Sequence, residues 1–81
     1  MIDEKIKGVI AALESLKEDA SVPRNVKVRI DNTISVLSED AETSLKVNKA
    51  LCEVEQIADD TNLQPYTRTQ IWNVVSMLEM L

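Results

Sequence analysis

Apolar residues recur at three- and four-residue intervals through four segments of this 81-residue chain. Because an α-helix turns once in 3.6 residues, this spacing gathers the apolar side chains on one helix face. Such a face must be buried against other helices, so the pattern predicts an all-α fold. The four stripes are Ile6, Val9, Ile10, Leu13 and Leu16; Val26, Ile30, Ile34 and Leu37; Leu45, Val47, Ala50, Leu51, Val54, Ile57 and Ala58; and Ile71, Val74 or Val75, Leu78 and Leu81.

Residues that favour helix ends separate the four segments. Asp3 is the expected N-cap of the first helix, which ends near Asp19. The second helix is expected to open at residues 21–23, Ser-Val-Pro, because proline is favoured in a first helical turn. The other expected boundaries are Glu42 and Asp59 for the third helix and, after Pro65, Thr67 as the N-cap of the fourth.

Short connections between helices of similar length favour an antiparallel up-and-down four-helix bundle. A chain of 81 residues buries only about 63% of its extended surface, which suffices for one small core. We therefore expect a single domain over residues 1–81, made of one αα-hairpin over 1–40 and a second over 41–81.

The two hairpins resemble each other when the chain is shifted by 41 positions. Seven of forty aligned residues are identical, and most apolar positions fall on apolar positions. Two amphipathic hairpins of equal length give a similar score by chance, so a duplication and a coincidence both stay open. If the hairpins are structurally equivalent, Leu13 and Val54 should share burial and direction, and so should Ile34 and Val75.

Composition excludes most chemistry and several folds. The chain has no His and one Gly, so imidazole catalysis, His-ligated zinc and glycine-rich phosphate loops are not expected. A net charge of −5 disfavours binding to nucleic acid or to an anionic membrane. Cys52 forms no internal disulfide and is expected to pack as a small apolar side chain. With no secretory signal in view, we expect a cytoplasmic protein without catalytic residues, cofactor or metal.

Two segments carry a family resemblance. They are residues 22–26, Val-Pro-Arg-Asn-Val, and residues 67–72, Thr-Arg-Thr-Gln-Ile-Trp, the latter followed by Ser-Met-Leu-Glu at 76–79. Together they resemble a small archaeal family of all-helical uncharacterised proteins. The resemblance covers nearly the whole chain and implies an up-and-down four-helix bundle in an archaeal cytoplasm. It implies no activity, ligand or catalytic residue. One departure from the family pattern is Gln64, which precedes Pro65 where an apolar residue is expected.

Charged residues stand at helix ends where the helix dipole disfavours them. Cations lie in the first turns of the second and fourth helices, and anions lie at the ends of the first and third. In an up-and-down bundle these four ends meet at one pole, so cations and anions are expected to pair there. The candidate ion-pair residues are Arg24, Arg68, Glu18, Asp19, Asp59 and Asp60. Scattered surface charge without energetic value is the alternative.

The fourth helix has more apolar residues than one buried face can hold. From Ile71 to Leu81, eight of eleven residues are apolar, whereas a bundle helix needs about three in seven. A central position for this helix would account for the surplus. The favoured interpretation is that the second stripe forms a contact surface. The candidate interface residues are Trp72, Val75, Met77 and Met80.

These patterns leave three classes of function. The first is a non-enzymatic helical interaction or scaffold module that acts as a homo-oligomer or as a subunit of an assembly. The second is a nucleic-acid or ribosome-associated accessory protein that binds through Arg24, Lys27 and Arg29. An enzyme or small-ligand carrier is disfavoured by the lack of His and Gly. The sequence favours the first class, with a protein partner or a second copy and no membrane.

Overall fold

The computed structural model describes residues 4–81, and all of its regular secondary structure is helical over that range. The expected N-cap Asp3 lies outside the described residues. The predicted all-α fold is confirmed. The helices are α1 (Glu4–Lys17), α2 (Arg24–Ser38), α3 (Thr43–Ala58) and α4 (Pro65–Glu79).

Helix starts lie close to their predicted positions, with one correction. Pro23 is the N-cap residue of α2 and stands directly before the first turn in which it is expected, and Glu42 is the N-cap residue of α3. The fourth helix begins at Pro65 itself, with Gln64 as its N-cap, because proline needs no hydrogen-bond acceptor at the first helical position. The prediction that Thr67 is the N-cap of the fourth helix is therefore wrong, and Thr67 lies buried in the first turn of α4.

The four helices form a ring in chain order. Each helix packs against the next one along the chain, and α1 closes the ring against α4. Among the described residues, no Cα atoms come within 8 Å of each other across either diagonal, between α1 and α3 or between α2 and α4. The connections span residues 18–23, 39–42 and 59–64, which is short enough to require antiparallel neighbours. The contact between α1 and α4 is the least extensive of the four.

The core follows the repeat in the sequence. Every buried residue of the first hairpin has a buried counterpart 41 positions later. The pair Leu13 and Val54 is fully buried, as predicted, whereas Ile34 is half-buried and its counterpart Val75 is buried. The nine buried pairs are Ile6/Val47, Val9/Ala50, Leu13/Val54, Leu16/Ile57, Val22/Leu63, Val26/Thr67, Ile30/Ile71, Thr33/Val74 and Leu37/Leu78.

The loops that close the two hairpins use the same hydrogen bonds. The Asp19 carboxylate accepts the Ser21 backbone N–H at 2.9 Å, and the Asp60 carboxylate accepts the Asn62 N–H at 2.8 Å. Both are turns in which an aspartate side chain replaces a backbone acceptor. The two aspartates also donate their own N–H groups to Leu16 and Ile57 at 3.1 and 3.0 Å. The correspondence therefore extends beyond apolar spacing to polar groups outside the core.

Candidate functional site

Three of the four candidate interface residues are exposed, and the fourth is not. Trp72 is 47% exposed, Met77 37% and Met80 80%, whereas Val75 is only 3% exposed. Val75 therefore belongs to the core, and its place in the predicted interface is corrected. The reason is geometric, because Val75 lies between Trp72 and the core stripe on the helical wheel.

Trp72 and Met77 lie on opposite flanks of α4. Five residues correspond to about 140° around the helix axis, which places their side chains on different sides. Trp72 borders an open cleft of about 480 Å³ beside the end of α3, together with Ala58, Asp59, Thr61 and Arg68. Met77 lies on the α1 side, where a Cβ placed on Gly8 would be 3.8 Å from its terminal methyl group. The predicted contact surface is thus divided into two edges.

The outward side of α4 joins these two edges. Its exposed residues between the flanks are Thr69, Asn73 and Ser76, and Tyr66 adds a ring that is 68% exposed. No charged residue occurs from position 69 to position 78, which is the longest uncharged run in the chain. We call this surface the α4 outer face, made of Tyr66, Thr69, Trp72, Asn73, Ser76, Met77 and Met80.

Tyr66 is the member of this face that sequence reasoning missed. Apolar counting began at Ile71, so a tyrosine in the first turn was left out. The available signal was its spacing from Met77, since eleven residues make three turns and return to the same side of the helix.

A cleft of about 270 Å³ lies between α1 and α4. It is lined by Lys5, Gly8, Met77 and Met80. The absence of a side chain on Gly8 leaves room above α1, and the two flexible methionines form the opposite wall. We call this the α1–α4 cleft.

The charged pole is organised around Asp60 rather than around ion pairs. Asn25 of α2 donates its side-chain N–H to the Asp60 carboxylate at 3.3 Å, which joins the two hairpins. Arg68 donates from Nη2 to the Asp60 backbone carbonyl at 2.7 Å, and its Nε is buried without an acceptor. The predicted meeting of helix ends at one pole is therefore present.

The predicted pairing at that pole is corrected. Among residues 4–81, neither Arg24 nor Arg68 forms a salt bridge within 4.0 Å, and the two salt bridges present are Lys7–Glu4 and Lys17–Asp31. Carbonyl groups after the end of α3 carry partial negative charge, so Arg68 finds its acceptor on the backbone. Glu18 and Asp59 are accordingly not ion-pair partners of these arginines.

Two charged side chains have shifted pKa values. Hydrogen bonds from the backbone and the hydroxyl of Ser21 lower the pKa of Asp19, and the nearby Lys27 adds to the effect. A hydrogen bond of 2.8 Å to Asp31 raises the pKa of Lys17. Both side chains are exposed to water, so these shifts describe a surface turn and a surface contact between α1 and α2, and not a reactive centre.

The three basic residues of the nucleic-acid alternative do not form one patch. Lys27 and Arg29 are two residues apart, which is about 200° around α2. Arg29 donates to Gln56 of α3 at 3.2 Å, while Lys27 lies on the α1 side near Asp19. Arg24 is exposed between those two directions. This alternative stays a prediction, with Arg24 and Lys27 about 60° apart on the helix surface and Arg29 on another side of α2.

Other chemistry-bearing side chains are dispersed. Cys52 is exposed, so its expected packing as an apolar side chain is wrong. Its counterpart in the repeat is Ala11, which is also exposed. Ala11 follows the buried Val9 by two residues, as Cys52 follows the buried Ala50. In the part of the chain that the structure describes, no three His, Cys, Asp or Glu side chains are grouped to hold a metal ion. No helix of residues 4–81 is long and apolar enough to cross a membrane.

Comparison with known proteins connects this geometry to a family. A UPF0147 protein of Methanosarcina mazei is 35% identical over 79 residues, covering 96% of this chain and 85% of that protein. A UPF0147 protein of Sulfurisphaera tokodaii is 37% identical over 78 residues, covering 95% and 88%. The crystal structure of a protein of unknown function, MMP1188, matches with a TM-score of 0.90 and 37% identity over 96% of this chain and 90% of that one.

The pattern of UPF0147, an uncharacterised protein family, matches residues 1–81. The relatives that are similar to this chain are archaeal, as the resemblance in residues 22–26 and 67–79 implies. The similarity to MMP1188 shows that a crystal structure with a related sequence has the same all-helical fold. The chain belongs to the archaeal uncharacterised protein family UPF0147.

Proposed function

We propose that this protein is a non-enzymatic helical interaction module, and that the α4 outer face is its binding surface. The observation that carries the proposal is the combination of four large exposed side chains with the absence of charge over residues 69–78. These side chains are Tyr66, Trp72, Met77 and Met80. The central parts of protein interfaces are depleted in charge and enriched in aromatic residues and methionine.

The internal repeat supplies a comparison within the same chain. At the positions of α2 that match Trp72 and Met80, the first hairpin has Asp31 and Glu39. The matches of Tyr66 and Met77 are Asn25 and Val36. The two hairpins share nine pairs of buried positions and differ at these exposed ones, so core packing does not account for the large side chains on α4. A surface that contacts a partner accounts for them.

The absence of a catalytic role is part of this proposal. The sequence has no His, its one Cys is exposed, and the described clefts are open and shallow grooves between helices. A module that binds protein needs none of the general acids, bases or metal ligands that an enzyme uses. We place it in the archaeal cytoplasm, consistent with a single unpaired cysteine and with the archaeal relatives.

Site-specific photo-crosslinking tests the surface. A photoreactive residue at Ser76 lies on the α4 outer face, and one at Ser35 occupies the matching position of α2. Expressed in an archaeal host, the variant at 76 should give a crosslinked product of defined mass, with a second copy or with another protein. The variant at 35 should not give that product. Equal products from both positions, or none from position 76, would contradict the proposed surface.

A further inference from the structure

The α4 outer face is suited to a second copy of the same chain. The protein carries a net charge of −5, so two copies repel each other over most approaches. Because residues 69–78 carry no charge, the middle parts of two α4 helices can meet without bringing charges together, while Lys5 adds a cation at the cleft. Neutral and apolar side chains are compatible with themselves, as a twofold interface requires.

The second argument comes from where Tyr66 and the α1–α4 cleft lie. Tyr66 and Met77 are on the same side of α4, three turns or about 16 Å apart. The exposed ring is therefore at one end of the face, and the cleft beside Met77 and Met80 is at the other. A twofold axis across α4 between them brings each Tyr66 over the cleft of the other copy. A parallel arrangement would instead bring the two tyrosines together and leave both clefts unfilled.

The middle of the face fits such an axis. The axis passes near Trp72 and Asn73, midway between Tyr66 and the cleft. The Asn73 side-chain amide has both a donor and an acceptor, so it can form hydrogen bonds with Asn73 of the second copy across the axis. Thr69 and Ser76 are small enough to let the two helices approach closely.

We infer that two copies associate through antiparallel α4 helices, with Tyr66 of each copy in the cleft formed by Lys5, Gly8, Met77 and Met80 of the other. This inference rests on the proposed function, because it names the partner of the same surface. Two helices in contact over about 22 Å bury an area at the low end of specific interfaces, so the dimer is reversible with a dissociation constant on the order of micromolar.

Sedimentation of the purified full chain tests the partner. The wild type should be a concentration-dependent dimer between about 1 and 200 μM. Ser76→Arg places two cations near the axis and should weaken the dimer at least about 100-fold. Tyr66→Ala empties both clefts and should weaken it at least about tenfold. The matched control Ser35→Arg adds the same charge to α2 and should change the dissociation constant less than about twofold, and circular dichroism checks that every variant is folded.

Disulfide trapping tests the orientation. In a Cys52→Ser background, Thr69→Cys and Ser76→Cys are prepared separately, mixed and oxidised. An antiparallel pair brings position 69 of one copy near position 76 of the other, so the mixed disulfide should exceed both self-disulfides. Predominant self-disulfides, or no effect of Tyr66→Ala, would overturn the antiparallel arrangement.

The two proposals fail in different ways. A wild type that stays monomeric at 200 μM overturns the second-copy inference. If position 76 still crosslinks to another protein, the proposed function stands without it. If position 76 crosslinks to nothing, both fail.

Discussion

At the scale of single residues, Gly8 shows how the absence of a side chain shapes a surface. Gly8 lies inside α1, where glycine is less favourable than alanine. Its Cα–H faces the terminal methyl group of Met77 and helps to form the α1–α4 cleft. The backbone at Gly8 is ordinary helix, so no conformational requirement for glycine exists there.

Gly8→Ala should therefore stabilise the fold. A Cβ at this position makes an ordinary contact of 3.8 Å with Met77. The free energy of unfolding should rise by about 0.5–1 kcal/mol, from helix propensity. Chemical denaturation measures it, and Ala11→Gly on the exposed side of α1 is the reverse control, with a loss of similar size. A destabilised Gly8→Ala would show that the neighbouring helix needs the open space.

The pKa of Asp19 makes a second prediction at this scale. In the folded chain, hydrogen bonds from Ser21 hold it below its ordinary value of 3.8. The folded state therefore releases this proton more readily than the unfolded state. The stabilising contribution is present above pH 3.8 and is lost as the pH falls through the lower folded value. NMR titration of the Asp19 carboxyl carbon should give a value below 3.8.

Ser21→Ala is the graded control for that titration. It removes the hydroxyl donor at 2.8 Å and keeps the backbone donor at 2.9 Å. The pKa of Asp19 should move part of the way back to its ordinary value. An unchanged pKa in Ser21→Ala would show that the hydroxyl does not contribute.

At the scale of elements, the turns after α1 and after α3 have the same local geometry but make different contacts. Both turns place an aspartate so that its carboxylate accepts a backbone N–H two residues later. Only Asp60 also accepts Asn25 from the other hairpin, and only its backbone carbonyl accepts Arg68. The turn after α3 therefore joins the hairpins, while the turn after α1 closes only its own.

Asp60→Ala should consequently destabilise the fold more than Asp19→Ala. Each variant loses two hydrogen bonds, but both bonds lost in Asp19→Ala come from Ser21 in the same turn. Asp60→Ala loses the Asn62 bond and also the Asn25 bond between the hairpins, for about 1–2 kcal/mol. Thermal unfolding of Asp60→Ala, Asp19→Ala and Asn25→Ala measures the difference in melting temperature. Equal melting temperatures for Asp60→Ala and Asp19→Ala would show that the hydrogen bond from Asn25 to Asp60 does not stabilise the fold.

At the scale of the whole molecule, the repeat relates the two halves of the core. The helix bounds 24–38 and 65–79 differ by 41 at both ends, and the nine buried pairs keep the same offset. Outside the core, the halves differ, because α4 presents large uncharged side chains where α2 presents Asp31 and Glu39. A common interior combined with an altered exterior is what a binding surface on one helix requires.

One polar mismatch in the core tests this relation. Thr33 is fully buried and donates to the Arg29 carbonyl at 2.9 Å, while its counterpart is Val74. Thr33→Val should be neutral or stabilising by up to about 1 kcal/mol, since the carbonyl keeps its helical bond. Val74→Thr should destabilise by about 1–2 kcal/mol, because it buries a hydroxyl. Urea unfolding of both variants decides it, and a destabilised Thr33→Val or a stabilised Val74→Thr would show that the two sites are not equivalent.

The amino-acid sequence by itself determined the helices, their order and most of the core. Apolar spacing and turn residues such as Pro23 and Asp19 act within a few positions along the chain, so they can be interpreted without coordinates. The 41-residue offset likewise relates nine pairs of buried positions, while Lys46, Ala58 and Val75 are buried without a buried counterpart in the first hairpin.

Only the tertiary structure decided which sides of the helices stay open. Counting apolar residues on α4 could not assign Val75 to the core and Trp72 to the surface, because that depends on where the neighbouring helices lie. The same reason separates Trp72 from Met77, exposes Cys52 and directs Arg68 to a backbone carbonyl instead of a carboxylate. The apolar periodicity of the sequence predicts that one face of each helix is buried. The positions of the neighbouring helices determine how wide that buried face is.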